Sequence, residues 1–269
     1  MQTEFTYRRP PRWGRRSWWK PRQFQLQGPT GDHILEQVRH KSQFYELDLL
    51  EAIDQALPLN ARCIVDVGAN VGNHSLYFAA VMQAQVVAVE PGAEALAFLR
   101  TNLADNDVLD RVQVHPLALS SRVGTAHLAR GPNGNLGMSR LVECASSGLA
   151  TAVATTTLDA LIDAADLRAI SAIKIDVEGH EVEVLGGALD TLRRFQPLLI
   201  VEACDPPALQ ALESLLWPLG YRQRARYCAT PTFLFSRDPL RRVSLLERLA
   251  HRGVRRLGRR VKAETNRDE

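Results

Sequence analysis

Cysteine is scarce and scattered. Cys63, Cys144, Cys204 and Cys228 form no CxxC pair. Neither a zinc site nor a disulfide framework is expected, and reduced thiols in the cytoplasm are the default. No apolar run approaches the ~18 residues of a membrane-spanning helix. The arginine-rich start is followed by no apolar h-region, so a signal peptide is not expected either. Charge of one sign does not dominate the chain. Residues 1–30 and 237–269 each carry net +6 within an overall +3, which leaves −9 for residues 31–236. An acidic middle argues against nucleic acid as a partner of the catalytic face. The basic ends suit an anionic surface, so the expected location is cytoplasmic, with weak peripheral contact at the inner membrane face.

A chain of 269 residues, 45% apolar, fits one α/β domain with extensions. Residues 1–30 are rich in Arg, Trp and Pro and show no helical or strand period, so a flexible basic arm is expected there. Residues 31–236 form the central domain. Helical periodicity runs from Asp32 to about Leu57 with a break near His40–Ser42, and again over Ala93–Asn106, Glu178–Phe195 and Pro206–Leu219. Short apolar runs at Ile64–Val67, Val86–Val89, Val112–His115, Ile170–Ile175 and Leu198–Val201 read as buried strands, alternating with those helices as in a doubly wound sheet. Gly124–Leu128 with Ser139–Val142, and Tyr221–Tyr227 with Thr232–Phe235, read as hairpins. Residues 240–261 space Leu246, Leu249, Val254, Leu257 and Val261 among arginines, the pattern of a basic amphipathic helix.

The most informative stretch is Ile64–Gly72, IVDVGANVG. A short strand, a turn bracketed by Gly68 and Gly72, and a helix from Asn73 make a crevice at a strand's carboxyl end, where small ligands bind. Glycines let backbone approach a ligand without an intervening Cβ. Asp66, two before the first glycine, suggests a ligand bearing an amine or positive charge. Glu90 ends the next strand, 22 positions after Gly68. An acid about 20 positions past such a turn accepts from ribose hydroxyls, so a nucleoside is expected. The dinucleotide fingerprint wants glycine where Asn70 and Asn73 stand. A nicotinamide-dependent oxidoreductase is therefore the weaker reading, beside a non-catalytic, membrane-associated nucleoside-binding protein.

Four stretches together resemble the FkbM family of methyltransferases: IVDVGANVG (64–72), VAVEP (87–91), TTLDAL (156–161) and IKIDVEGHE (173–181). Phe44–Glu46 and Val201-Glu202 add weaker matches, and the resemblance spans roughly residues 40–235. It implies a Rossmann-like class I methyltransferase fold, a seven-stranded, mostly parallel sheet flanked by helices, with one antiparallel strand near its edge. It implies S-adenosyl-L-methionine as cofactor. Gly68, Ala69, Asn70 and Gly72 are then expected at its methionine part through backbone, Asp66 at its amine, Glu90 and Pro91 at the ribose and Ala118 at the adenine; Asn73 and Asp176 complete the cofactor set.

The expected reaction is O-methylation of a small-molecule or glycan acceptor: a sugar, glycan or other secondary metabolite. An alcohol needs its proton removed as the bond forms. Asp176, Glu178 and His180 fall within five residues after a strand and are the candidate acid–base residues. A divalent metal is not expected. Asp176 and Glu202 end adjacent strands, but no third acid is evident beside them. Nothing in the sequence names the acceptor or sets an oligomeric state.

Overall fold

The computed structural model describes residues 1–9, 21–58, 63–132, 135–142, 150–165 and 167–240. The helix expected at 240–261 and the Arg/Trp stretch at 10–20 lie outside the described residues.

The chain opens with β1 (Gln2–Tyr7) paired antiparallel to β2 (Arg22–Gln27). This differs from the flexible arm expected there. Both strands alternate with period two, so Phe5, Tyr7, Phe24 and Leu26 all face inward and are buried. Phe44 packs edge-on against Phe5 and Phe24, with ring centroids 4.9 Å away in each case. The hairpin fastens to the helices that follow, α1 (His33–Lys41) and α2 (Leu47–Ala56). Arg9 donates to both carboxylate oxygens of Asp54 at 2.8 and 2.6 Å and to the Val81 carbonyl at 2.8 Å. The Tyr7 hydroxyl donates to Glu51 at 3.2 Å. Asp32 caps α1, its carboxylate accepting from the Leu35 N–H at 3.0 Å. The expected helical break falls where Ser42 and Glu46 take positive φ, 49° and 53°.

Next come β3 (Cys63–Val67), α3 (Asn73–Leu76, continuing as a π-turn to Val81), β4 (Gln85–Val89), α4 (Ala93–Asp105) and β5 (Val112–His115). Four short strands follow: β6 (Ala118–Leu119), β7 (Gly124–Ala129), β8 (Arg140–Val142) and β9 (Ala150–Thr156). The chain then returns through α5 (Leu158–Ala164), β10 (Ala172–Ile175), α6 (Glu181–Gly186), α7 (Leu189–Phe195), β11 (Leu198–Glu202) and α8 (Pro206–Leu216). It closes with β12 (Arg222–Tyr227) and β13 (Thr232–Ser236). The single helix expected over Glu178–Phe195 is divided. Glu178 precedes it with φ 55°, and α7 has its own N-terminal cap, the Asp159 carboxylate, which accepts from the Asp190 and Thr191 N–H groups at 3.1 and 2.7 Å.

The main sheet has seven strands in the order β12-β13-β11-β10-β3-β4-β5. Only β13 runs against the others, being antiparallel to both β11 and β12. Alternate residues feed two apolar layers. Ile64, Val86 and Ile200 pack with the hairpin and α1–α4, whereas Val65, Val87 and Leu199 pack with α5–α8. A second sheet, β6-β9-β7-β8, contains the hairpin expected between 124 and 142. Its strand β9 is not legible in the sequence, since ATAVATT is small, polar and largely exposed.

Candidate functional site

A cavity of about 580 Å³ opens at the carboxyl ends of β3, β4, β10 and β11, roofed by the α1–α2 connection and walled by the second sheet. The expected cofactor residues Gly68, Ala69, Asn70, Asn73, Glu90, Pro91, Ala118 and Asp176 line it, as do the expected acid–base residues Glu178 and His180. Asp66 and Gly72 are not among its lining residues.

Gly68 must be glycine for a different reason from the one expected. Its φ is +75°, and a Cβ there would lie 1.9 Å from the Asp176 carbonyl oxygen. At Gly72 a Cβ would meet the Leu99 side chain at 2.6 Å, so that position serves the packing of α4. The turn's N–H groups are also already used. Gly68 and Ala69 donate to the Val89 carbonyl at 3.0 and 3.1 Å, Gly72 to the Ala69 carbonyl at 2.9 Å, and Asn70 to Glu90 at 2.9 Å. The carbonyls of Gly68, Ala69, Val71 and Gly72 are engaged as well, by Lys174, Gly72 N–H, Asn102 and Leu76 N–H, whereas the buried Asn70 Oδ1 has no hydrogen-bond partner among the described residues.

Glu90 is held at both oxygens, Oε2 by Asn70 N–H and Oε1 by Gly92 N–H at 2.8 Å. Each oxygen keeps a further lone pair. Burial pushes its pKa up, and the N–H donors and Lys174 pull the other way. Beside it Pro91, Leu117, Ala118, Leu119 and Leu128 make an apolar slot. Asn73 spends both ends of its amide on Tyr45, accepting from its N–H at 3.0 Å and donating to its carbonyl at 3.2 Å. The roof is pinned a second time by His74 Nε2, 3.3 Å from Glu46. Burial alone would raise Glu46, but the hydrogen bond and charge of His74 hold it below the usual carboxylate range.

The opposite end of the cavity is acidic. Asp176, Glu178 and Glu202 each place a carboxylate oxygen within 4.8 Å of the others, so Glu178, expected as an acid–base residue, is also the third acid beside Asp176 and Glu202. Their charges are resolved by environment. Burial would raise Asp176, but Lys174 and a hydrogen bond with Glu202 bring it below its ordinary value. Glu202 is pushed up to about 9 by burial, reinforced by the charge of Asp176. Burial, with Asp176 and Glu181 nearby, pushes Glu178 up to about 7. Asp176 and Glu202 therefore titrate as a hydrogen-bonded pair, with charge favoured on Asp176 beside Lys174 and the retained proton favoured on Glu202, while Glu178 is near its midpoint at neutral pH. A divalent ion could be shared by these oxygens, although the retained proton already relieves their repulsion.

His180 Nε2 lies 3.0 Å from Ser120 Oγ, and Nδ1 lies 3.7 Å from Glu183. Burial lowers its proton affinity against the pull of Glu183, favouring the neutral ring. Glu181 closes the preceding loop, accepting from the Val177 and Gly179 N–H groups, both at 3.1 Å.

Sequence reasoning passed over Lys174, Tyr45, His74 and Ser120. For Lys174 a signal was present: a lysine within an otherwise apolar strand, two residues before Asp176 and so on the same side of the strand.

A sheet of this order, with a cavity at its central strands and an acid at the end of β4, defines the Rossmann-like class I methyltransferases. The methyltransferase FkbM domain matches residues 66–223. The chain belongs to the FkbM methyltransferase family and is a methyltransferase, which sets aside the nicotinamide-dependent and non-catalytic readings. It is 32% identical over 197 residues to methyltransferase sdnD of Sordaria araneosa, covering 61% of this chain and 76% of that protein. It is 30% identical over 137 residues to hexuronic acid methyltransferase AglP of Haloferax volcanii, covering 50% of this chain and 53% of that protein. Among solved structures, the METTL16 MTase domain superposes with a TM-score of 0.51 at 12% identity, covering 79% of this chain and 73% of that one, a likeness of fold.

Proposed function

We propose that the chain is an S-adenosylmethionine-dependent O-methyltransferase acting on a hydroxyl of a sugar, glycan or other secondary metabolite. One observation carries this reading: a single cavity joins a nucleoside-type end, Glu90 with its apolar slot, to an acidic end where the carboxylates of Asp176, Glu178 and Glu202 converge. The residues present fit the cofactor. Glu90 has lone pairs left for ribose hydroxyls, the Pro91–Leu119 slot suits a purine, and the orphaned Asn70 Oδ1 beside the slot is an acceptor without a donor. The cofactor supplies a methyl group already activated on a sulfonium.

The protein's part is alignment and proton removal. Alignment can supply roughly 7–11 kcal/mol of barrier reduction. Asp176 is ionised and faces the cavity, so it takes the acceptor's proton, and Glu178 stands beside it near its midpoint to pass that proton on. His180, neutral and held by Ser120, orients the acceptor hydroxyl. The name of AglP supports a sugar acceptor, and none of the described helices is long and apolar enough to cross a membrane.

Asp176→Asn should cut turnover by about 10²–10⁴-fold, the usual worth of general-base help, with S-adenosylhomocysteine affinity kept within a few-fold. Equal turnover by the variant, assayed as S-adenosylhomocysteine release over a panel of glycosides, would remove Asp176 as the base. Peripheral membrane contact by the basic ends has its own test. Replacing Arg255, Arg256, Arg259 and Arg260 with glutamine should reduce co-sedimentation with anionic vesicles, and unchanged partitioning would rule those arginines out.

A further inference from the structure

Lys174 stands in β10 among Ala172, Ile173 and Ile175, all apolar and fully buried, and is itself only 4% exposed. Its ammonium faces three oxygens, one by hydrogen bond and two at ion-pair distance. Nζ donates to the Gly68 carbonyl at 2.9 Å and lies 3.4 Å from Asp66 Oδ1 and 3.3 Å from Asp176 Oδ2. The register of β10 on β3 sets Lys174 directly beside Asp66. Asp66 is fixed in turn by the Ser75 hydroxyl, which donates to Oδ2 at 2.6 Å. One ammonium thus ties together the interior of β3, the turn that follows it and the loop after β10, segments about a hundred residues apart in the chain.

Stability alone does not account for such a residue. A buried ion pair is often no better than apolar side chains of the same volume, and this strand is otherwise apolar. Of these three neighbours, Gly68 and Asp176 line the cavity, whereas Asp66 is fully buried behind them. The ammonium therefore connects an inner anchor, Ser75–Asp66, to two cavity groups with different duties.

We infer that Lys174 is a positioning residue that holds the Gly68 turn and the Asp176 carboxylate in one fixed relation, so that the cofactor end and the proton-accepting end of the cavity stay in register. This rests on the cofactor reading above. Lys174 also reaches the cavity wall, and in this role it works through its protein partners. It acts through the Gly68 carbonyl, whose own residue's N–H is held from the other side by Val89.

The test compares melting temperature and S-adenosylhomocysteine affinity, by calorimetry, for the wild type, Lys174→Met and Asp66→Asn/Lys174→Met. Lys174→Met strands two carboxylates and should lower the melting temperature. The double variant removes one of those charges and should recover most of that loss. A lysine that only neutralises Asp66 would also give back ligand affinity in the double variant. A positioning lysine would not, and the double variant should stay about tenfold or more weaker than wild type. Recovery of affinity together with stability would overturn the inference, as would wild-type affinity in Lys174→Met. A double variant that fails to fold would also overturn it, because Lys174 would then be needed for stability itself. Failure of the wild type to bind S-adenosylhomocysteine would instead overturn the cofactor reading.

Discussion

Replacing Gly68 with alanine puts a methyl group where two demands meet. The backbone there has φ +75°, and the new Cβ would lie 1.9 Å from the Asp176 carbonyl oxygen. The left-handed conformation costs a residue with a Cβ about 1–2 kcal/mol. The steric part comes on top, because the obstacle is backbone and not the end of a flexible side chain. Overpacking of this kind costs about 1–3 kcal/mol. Together they give about 2–5 kcal/mol, which at roughly 2–4 °C per kcal/mol lowers Tm by about 4–20 °C. Gly179 provides the control. It has φ +97°, and a Cβ there would meet nothing within 4 Å, so Gly179→Ala should bear the conformational cost alone, about 2–8 °C. Differential scanning calorimetry on both variants isolates the steric contribution. Equal melting of the two would refute the claim that the Asp176 carbonyl dictates glycine at position 68.

Two further predictions concern buried charge. Glu178 and Glu202 bind their protons more tightly folded than unfolded, at about 7 and about 9 against 4.5. The stability linked to them is therefore whole below pH 4.5 and is lost as pH rises through 7 and then 9. Glu202→Gln cannot ionise, so between pH 7 and 9 its melting temperature should fall less steeply than that of the wild type; a steeper fall would contradict the assignment. Arg9 and Asp54 are 9% and 3% exposed. Arg9→Ala should cost about 3–5 kcal/mol in urea unfolding, and Arg9→Met/Asp54→Leu should recover most of it. Wild-type stability in Arg9→Ala would mean that the N-terminal hairpin is not fastened as described.

The central strands were legible because parallel strands covered on both faces read as unbroken apolar runs, as at Ile64–Val67 and Val86–Val89. Glu90 was legible from its spacing to Gly68, since strand and turn lengths fix where β4 ends. The β1–β2 hairpin was hidden because its alternation is brief and flanks a stretch dense in Arg, Trp and Pro. The reasons for the two glycines were hidden for another cause. Gly68 answers to Asp176 and Gly72 to Leu99, contacts that only the folded chain brings together. Asp66 shows the same limit. Its spacing to the turn suggested a ligand contact, yet its carboxylate is turned to Ser75 and Lys174. Asp176 and Glu202 were visible as strand-end residues and Glu178 as a candidate acid–base residue, but their convergence was not, because Glu178 reaches the other two through a positive-φ turn.

The most direct test of the account is a thermal-shift titration of the intact chain with S-adenosylhomocysteine and, separately, NAD. A ligand bound only by the folded state adds about 2.7 kcal/mol at 100 times its dissociation constant, a rise of roughly 5–11 °C. The account predicts that rise with S-adenosylhomocysteine and none with NAD. A rise with NAD alone, or none with saturating S-adenosylhomocysteine, would contradict it.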